Sequence, residues 1–244
     1  MNKISRDEII ENAYTFFVDF FNKKSQSYKK KKAKEFKINP FTIQATTKAI
    51  GNKIDAENMA KAIVYPFVLG TSLATSFGTR VQEFIVTTLG NQISGSVVPG
   101  MDIEYIDALD GQKKYCQVKS GPNTINYEDV ATIENHFKAL SNLARTNHLN
   151  INTNDRVIGV LYGIPSDISN MYKRLEDDGY TVLVGEEFWY HLTGYENIYN
   201  DLVEAAQKAA SESDMKEDIE GLIKRVKEFI ETNPEIYGLD KDNK

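Results

Sequence analysis

Two short runs of alternating apolar and polar residues, separated by an Asp-Gly pair, constrain the fold of this chain more than any other feature. The runs cover residues 101–109 and 113–119, with Asp110-Gly111 between them. A period of two is typical of β-strands, and Asp-Gly favours a two-residue hairpin turn. The sequence therefore predicts two adjacent antiparallel strands in which residues near 103 lie across from residues near 118.

Helical spacing dominates the rest of the chain. The apolar residues predict a helix over 5–22 that runs into a lysine-rich stretch and is broken at Asn39-Pro40, because the residue before a proline disfavours the helical conformation. Residues 41–52 are expected to be irregular, 55–69 to form a helix capped by Asp55, and another helix to start at Thr71 or Ser72 and end at Gly90. Beyond the hairpin, helices are predicted at about 127–146, 167–178, 186–193 and 196–209, strands at 156–162 and 180–184, and a last helix in the final 30 residues.

This order of elements predicts an α/β fold in three parts. They are a helical region over residues 1–70, an α/β core over 71–205, and an amphipathic helix with an acidic tail over 206–244. The single cysteine, Cys116, excludes an intramolecular disulfide and a cysteine-rich zinc site. The sequence has neither an apolar run of roughly 20 residues nor a secretory signal, so we expect no membrane association and a location in the reducing cytoplasm.

Charge is unevenly distributed along the chain. The net charge is −6, but residues 201–244 carry 12 acids and 7 bases, a net of −5, which leaves residues 1–200 near −1. Between residues 23 and 37, lysines are opposed only by Glu35. Such a stripe can bind the phosphates of a nucleic acid, and a solvated helix end is the alternative. The candidate phosphate contacts are Lys29, Lys30, Lys31 and Lys32.

The hairpin also concentrates polar side chains on one face. Residues at i and i+2 of a strand share a face, so Asp102 lies beside Glu104, and Gln117 beside Lys119. Two carboxylates, an amide and a lysine on one sheet face match the needs of phosphodiester hydrolysis, namely hard oxygen ligands for Mg²⁺ and a cation near the attacking water or the phosphate. Each pair alone is more often a solvent-exposed strand face, and only the combination predicts a site.

Two motif halves resemble a known family. Pro99-Gly100-Met101-Asp102, a spacer of fourteen residues and Gln117-Val118-Lys119 resemble the bipartite motif of the PD-(D/E)XK nucleases. The string Lys119-Ser120-Gly121-Pro122-Asn123-Thr124 is more specific and resembles the segment after the catalytic lysine in type II restriction endonucleases of the PmeII-like group. Asn39-Pro40-Phe41, Glu187-Phe188-Trp189 and Leu192-Thr193-Gly194 also resemble that group, so the resemblance covers residues 35–205.

The resemblance implies a Mg²⁺-dependent nuclease with a PD-(D/E)XK core, in which helices flank a central mixed sheet, and with helical N- and C-terminal additions. Asp102 would bind the metal, and Lys119 would orient or activate the attacking water. Gln117 departs from the family pattern, in which an acid is usual, because an amide oxygen can coordinate a cation but brings no charge. Glu104 on the strand face, or Glu83 on the preceding helix, would supply the missing charge.

The same resemblance implies further contacts and a substrate. The carbonyl of Val118 would complete the Mg²⁺ site, and the polar residues Ser120, Asn123 and Thr124 would meet DNA backbone or base edges. The leading hypothesis is a type II restriction endonuclease that cuts double-stranded DNA as a homodimer, since two symmetric sites most simply cut both strands of a palindrome. A repair or recombination nuclease of the same fold and a catalytically degenerate DNA-binding protein are the alternatives.

Overall fold

The structure is a computed structural model that describes residues 3–239. Residues 240–244 of the predicted acidic tail lie outside the described residues. In chain order the elements are α1 (Arg6–Lys30), α2 (Pro40–Gly51), α3 (Ala56–Pro66), α4 (Ala74–Gly78), α5 (Val81–Leu89), β1 (Ile93–Gly95), β2 (Ile103–Ile106), β3 (Lys113–Lys119), α6 (Tyr127–Thr146), β4 (Arg156–Val160), α7 (Asn170–Asp177), β5 (Thr181–Val184), α8 (Glu186–Thr193), α9 (Ile198–Ser211) and α10 (Met215–Thr232).

The chain folds as two compact units. The first, the sheet unit, comprises the chain up to Phe16 together with Phe77–Lys208, and it holds every strand found in the described residues. The second, the helical unit, comprises Phe17–Ser76 and the chain from Ala209 onward. The predicted N-terminal helical region is therefore shared between the two units, because the first turns of α1 belong with the sheet.

The sheet is mixed and has the order β1-β2-β3-β4-β5. β1, β2 and β3 pair antiparallel, whereas β3, β4 and β5 pair parallel. The helices α6 and α7 form the two parallel crossovers. The predicted α/β class is confirmed, and β1 is the strand that periodicity did not predict, since three residues are too few to show alternation.

The loop of the β2–β3 hairpin is longer than predicted, and this changes the register. Ile103 pairs with Cys116, two residues from the predicted partner at 118. Asp107 N–H donates to the carbonyl of Gln112 at 2.9 Å, and Gly111 N–H donates to the carbonyl of Asp107 at 2.9 Å, so four residues rather than two form the turn. An even shift keeps each side chain on its predicted face but changes its partners across the hairpin.

Both faces of the sheet are covered. One face packs against α6 and α7 through a core that includes Tyr115, Phe137, Ile158 and Val184. On the other face, Gly159 lies so close to the ring of Phe188 that an added Cβ would be 2.3 Å from it. Because β3 is central and covered on both faces, its polar residues are buried unless they lie at a strand end.

The helical unit corrects three expectations. Residues 41–52 were expected to be irregular, but Asn39 caps α2 by accepting a hydrogen bond from Phe41 N–H at 3.0 Å, with Pro40 as the first helical residue. Asn39-Pro40 therefore starts a helix, and α1 already ends at Lys30. Asp55 caps α3 as predicted, but Thr71 and Ser72 cap nothing, because they lie in a π-helical segment, Phe67–Leu73, that continues from α3.

No single helix within residues 3–239 is long and apolar enough to cross a membrane. One bent pair of consecutive helical segments, Ala56–Gly78 with Val81–Gln92, reaches that length and composition only when taken together.

Candidate active site

The candidate site lies at the open end of the β2–β3 hairpin. Asp102 directly precedes β2, and Lys119 is the last residue of β3. One step beyond the observed Ile103–Cys116 pair places Asp102 across from Gln117. Cross-strand partners share a face, so Asp102, Gln117 and Lys119 lie on the same side of the sheet, as the sequence predicts.

Asp102 is held by its backbone and by one carboxylate oxygen. Its Oδ2 accepts a hydrogen bond from Val118 N–H at 2.7 Å, and its carbonyl accepts one from Gln82 Nε2 at 2.6 Å. The residue is half-buried. Within residues 3–239 the side chain makes no other hydrogen bond and no ion pair, which leaves Oδ1 available to a ligand.

The carbonyl of Val118 faces the same edge of β3 as Asp102. Lys119 carbonyl accepts from Leu161 N–H at 2.9 Å on the β4 side, and successive residues of a strand direct their backbone groups to opposite edges. Val118 therefore directs its N–H and C=O toward β2, where its N–H meets Asp102. Two hard oxygens, the free carboxylate oxygen and this carbonyl, thus belong to one corner of the sheet.

Lys119 is half-buried and has no ion pair or hydrogen bond from its side chain to any residue that the structure describes. A lysine that is partly removed from water and lacks a counter-ion loses hydration without electrostatic compensation. An anionic ligand such as a phosphate would provide that compensation.

Gln117 is buried, with 4% of its surface exposed. Its Nε2 donates to the carbonyl of Ile133 on α6 at 3.4 Å, and its Oε1 lies 3.5 Å from His136 Nδ1. The amide thus contacts a helix that sequence analysis did not connect with the site. The sequence favours a surface or core role for His136, because its spacing from the hairpin carries no signal and only the packing of α6 on β3 brings it to Gln117.

Neither acid expected to replace the missing charge is free. In the observed register Glu104 pairs with Tyr115 and is diagonal to Lys113, whereas the predicted register would have placed it across from Gln117. Glu104 accordingly binds Lys113 Nζ at 2.6 Å and Ser96 Oγ at 2.6 Å. Burial alone would raise the pKa of Glu104, but the hydrogen bonds from Lys113 and Ser96 hold that pKa below its usual range.

Glu83 lies on α5 with its exposed side chain turned to Arg80, at 2.6 and 2.8 Å from the guanidinium nitrogens. Within residues 3–239, no group of three or more His, Cys, Asp or Glu side chains is arranged to hold a metal ion. Mg²⁺ is usually held by one or two carboxylates together with water and substrate phosphates rather than by an all-protein cage. Asp102 and the Val118 carbonyl fit that smaller set.

The loop after β3 is shaped by close backbone contacts. A Cβ on Gly121 would lie 2.5 Å from the ring of Tyr162, so a larger residue there would require this ring to move. Thr124 Oγ1 donates to the carbonyl of Gly121 at 2.8 Å, so the hydroxyl proton of this predicted DNA contact is already used in a hydrogen bond within the loop. Asn123 is exposed and makes no side-chain hydrogen bond in the described part of the chain, and Ser120 is half-buried.

The four candidate lysines of the helical unit fall into two pairs. Lys29 lies 3.5 Å from the buried carboxylate of Asp218, and Lys31 lies 3.1 Å from Glu35. Lys30 and Lys32 are exposed, and their ammonium groups have no ion pair among residues 3–239. The C-terminal helix therefore neutralises part of a stripe that looks unopposed in the local sequence.

A family model described as type II restriction endonuclease EcoO109I matches residues 7–214 of the chain. The match includes both motif halves, the hairpin and the helices α6–α9. No curated protein matches the chain.

Proposed function

The chain belongs to the type II restriction endonuclease EcoO109I family, and from this premise we propose that it is a Mg²⁺-dependent endonuclease that cuts double-stranded DNA at a specific short site. Family membership implies a hydrolase that cleaves DNA. The observation that best supports the active site is the pair of unneutralised charges, Asp102 and Lys119, on one face at the open end of the hairpin. We assign this hairpin to a PD-(D/E)XK core; the closer likeness to the PmeII-like group stays a prediction.

Each residue of the site has a distinct proposed role. Asp102 Oδ1 and the Val118 carbonyl would hold Mg²⁺, which would supply positive charge to the phosphate and make the attacking water more acidic. Lys119 orients the attacking water and faces the scissile phosphate with its positive charge. Asp102 keeps its position because Val118 N–H binds its second oxygen at 2.7 Å.

The neutral side chain at 117 weakens cation binding in the absence of substrate. At about 4 Å and an effective dielectric constant of about 20, one missing carboxylate removes on the order of 4 kcal/mol of attraction per unit of cation charge, before desolvation. DNA phosphates can supply the missing negative charge, so we propose that Mg²⁺ binds tightly only in the complex with DNA. Glu104 could contribute only by leaving Lys113, and Glu83 only by leaving Arg80.

The substrate contacts and the assembly complete the proposal. Asn123 is the exposed polar side chain of the loop after β3 that is free to meet DNA, with Ser120 beside the catalytic strand and Thr124 shaping the loop. Lys30 and Lys32, which are exposed and have no ion pair among residues 3–239, contact phosphates of the duplex. Two copies of the chain act as a homodimer, because a palindromic site is cut most simply by two symmetric active sites. Such a substrate implies action in the cytoplasm of a cell.

One incubation separates this function from its rivals. The purified chain should cut plasmid DNA into discrete bands with Mg²⁺ and leave it intact with a chelator. A smear, or cutting confined to branched DNA, would indicate a repair or recombination nuclease instead. Gln117→Glu should retain or raise the rate, because an acid restores the usual charge at this position.

A catalytically degenerate DNA-binding protein is the second candidate. It is favoured by the amide at 117 and by the ion pairs that occupy Glu104 and Glu83. This reading predicts DNA binding with no cleavage in Mg²⁺ or Mn²⁺. Recovery of cleavage in Gln117→Glu alone would identify the amide as the cause of the lost activity.

A further inference from the structure

His136 on α6 contacts both halves of the proposed catalytic motif. Its Nδ1 lies 3.5 Å from Oε1 of Gln117, in the second half. Its ring covers Gly100 in the first half, where an added Cβ would lie 2.3 Å from His136 Cγ.

The hydrogen bonds fix which groups donate. The carbonyl of Ile133 can only accept, so the neighbouring Gln117 atom at 3.4 Å is its amide nitrogen, and the amide oxygen is turned to the histidine. His136 Nδ1 must then donate to that oxygen. The amide is buried at 4% exposure, so without His136 its oxygen would lose this partner where water has little access.

The contact with Gly100 links the same ring to Asp102. Gly100 has φ +84°, a left-handed conformation that favours glycine, and the absence of a side chain lets the imidazole lie against the backbone. Asp102 follows two residues later. One ring therefore limits the movement of Gln117 and of the segment that leads into Asp102.

We propose that His136 is a positioning residue of the active site, which holds the Gln117 amide in place and keeps the two halves of the motif in register. This inference rests on the proposed nuclease function. It explains how a neutral amide keeps its place in the site without a bound cation: its oxygen is oriented by His136 and its nitrogen by the carbonyl of Ile133. A residue that only fills space would instead be replaceable by any side chain of similar size.

Two substitutions at position 136 distinguish positioning from packing. His136→Asn keeps a donor nitrogen near the place of Nδ1, whereas His136→Leu keeps bulk and removes the donor. We expect His136→Leu to lower the single-turnover cleavage rate in Mg²⁺ by about 10–100-fold, the usual effect of losing an outer partner of a site residue. His136→Asn should stay close to the wild-type rate, and so should Asn135→Ala, the exposed neighbour on α6.

A double-variant cycle tests whether His136 acts through Gln117. The loss caused by His136→Leu should nearly vanish in a Gln117→Ala background, because residues that act as a unit are not additive. DNA affinity in Ca²⁺ should change little in His136→Leu. Its unfolding temperature should fall, because the buried amide oxygen of Gln117 loses its partner, so rates are compared well below that temperature to separate positioning from lost folding.

The outcomes distinguish this inference from the function on which it rests. If His136→Leu cuts at the wild-type rate while Asp102→Asn is inactive, or if His136→Leu and His136→Asn lose activity equally, the positioning role is wrong and the nuclease assignment stands. If the wild-type chain cuts no DNA with any divalent cation, the proposed function fails and the role of His136 fails with it.

Discussion

At the turn end of the β2–β3 hairpin the charged side chains are paired, whereas at the open end Asp102 and Lys119 have no ion pair within residues 3–239. Near the turn, Lys114 lies 2.6 Å from Asp110 and 3.1 Å from Asp155, and Asp107 binds His191 at 2.7 Å. The same two strands thus carry two classes of charge. Those near the turn bind each other and support the fold, and those at the open end are left for a ligand.

This difference is the basis on which we propose Asp102 and Lys119 as the catalytic residues. An unpaired, partly buried charge is unfavourable in a folded protein unless a ligand compensates it. A paired charge has already lost much of its capacity to bind a cation or a phosphate. Asp102 and Glu104 lie on the same strand face, but only Glu104 is neutralised by an ion pair. Asp102 is therefore the better candidate for a metal ligand.

The largest expected effect comes from the open end. Asp102→Asn should lower cleavage by more than about 10³-fold, because it removes the charged ligand, within the range seen for single catalytic groups. The fold should survive, since an asparagine oxygen can still accept from Val118 N–H. Plasmid cleavage in Mg²⁺ and thermal unfolding measure the two effects. A variant that cuts at the wild-type rate would show that the unpaired Asp102 is not a catalytic ligand.

At the turn end, Lys114→Met should act on stability instead. The lysine is buried, and its removal leaves the buried Asp155 without its cation. Breaking a buried pair in this way costs about 3 kcal/mol or more, which corresponds to a drop of about 10 °C in the unfolding temperature for a chain of this size. The cleavage rate of the folded fraction should be unchanged. A normal Tm with lost activity would show that the turn end serves catalysis rather than stability.

Glu104→Gln tests the boundary between the two ends. Because Lys113 neutralises this carboxylate, we expect less than about a tenfold loss of cleavage and a loss of about 1 kcal/mol in stability at neutral pH. The pKa of Glu104 is lowered in the folded chain, so its contribution is complete above the unfolded pKa and is lost as the pH falls through the folded pKa.

Denaturant unfolding at several pH values provides the measurement. The difference in stability between wild type and Glu104→Gln should shrink on acidification. If the variant instead loses more than about 10²-fold in rate and needs more Mg²⁺, Glu104 is a metal ligand, and pairing does not separate it from Asp102.

The smallest expected effect extends the comparison to the helical unit. Changing Lys30 and Lys32 to Gln should lower the slope of log K against log salt by up to about two units for any duplex, because phosphate contacts carry no base information. Changing Lys29 and Lys31 should alter it less, since acids already neutralise both. Titration of labelled DNA in Ca²⁺ at several salt concentrations measures these slopes. Equal slopes in all variants and the wild type would show that these lysines do not contact DNA.

In the hairpin, the strands and the facing of their side chains could be predicted from the sequence, whereas the register could not. Alternation predicted the strands and the shared face of Asp102, Gln117 and Lys119, because facing depends only on a period of two. The register depended on the loop, and four turn residues in place of two moved Glu104 from Gln117 toward Lys113. A local pattern carries no information about that choice, because both turns suit the Asp-Gly pair.

Contacts between segments that are distant in the sequence cannot be predicted from local sequence patterns. His136 reaches Gln117 only because α6 packs on β3, and Asp218 reaches Lys29 from the far end of the chain. Asn39-Pro40 is ambiguous for a different reason, since the same dipeptide can end one helix or begin the next. Periodicity nevertheless predicts α6 over about 127–146, because a long amphipathic segment is a strong signal, and the structure adds that Asn126 caps this helix.

The most direct test compares two lysines of the same strand. Lys119 and Lys113 stand at opposite ends of β3, one without a counter-ion in the described chain and one bound to Glu104 at 2.6 Å. Single-turnover cleavage of a plasmid in Mg²⁺ should fall by about 10²–10³-fold in Lys119→Met, the range expected for one charged catalytic group, and stay near the wild-type rate in Lys113→Met. Equal rates in the two variants, or a greater loss in Lys113→Met, would contradict the assignment of the open end of the hairpin as the active site.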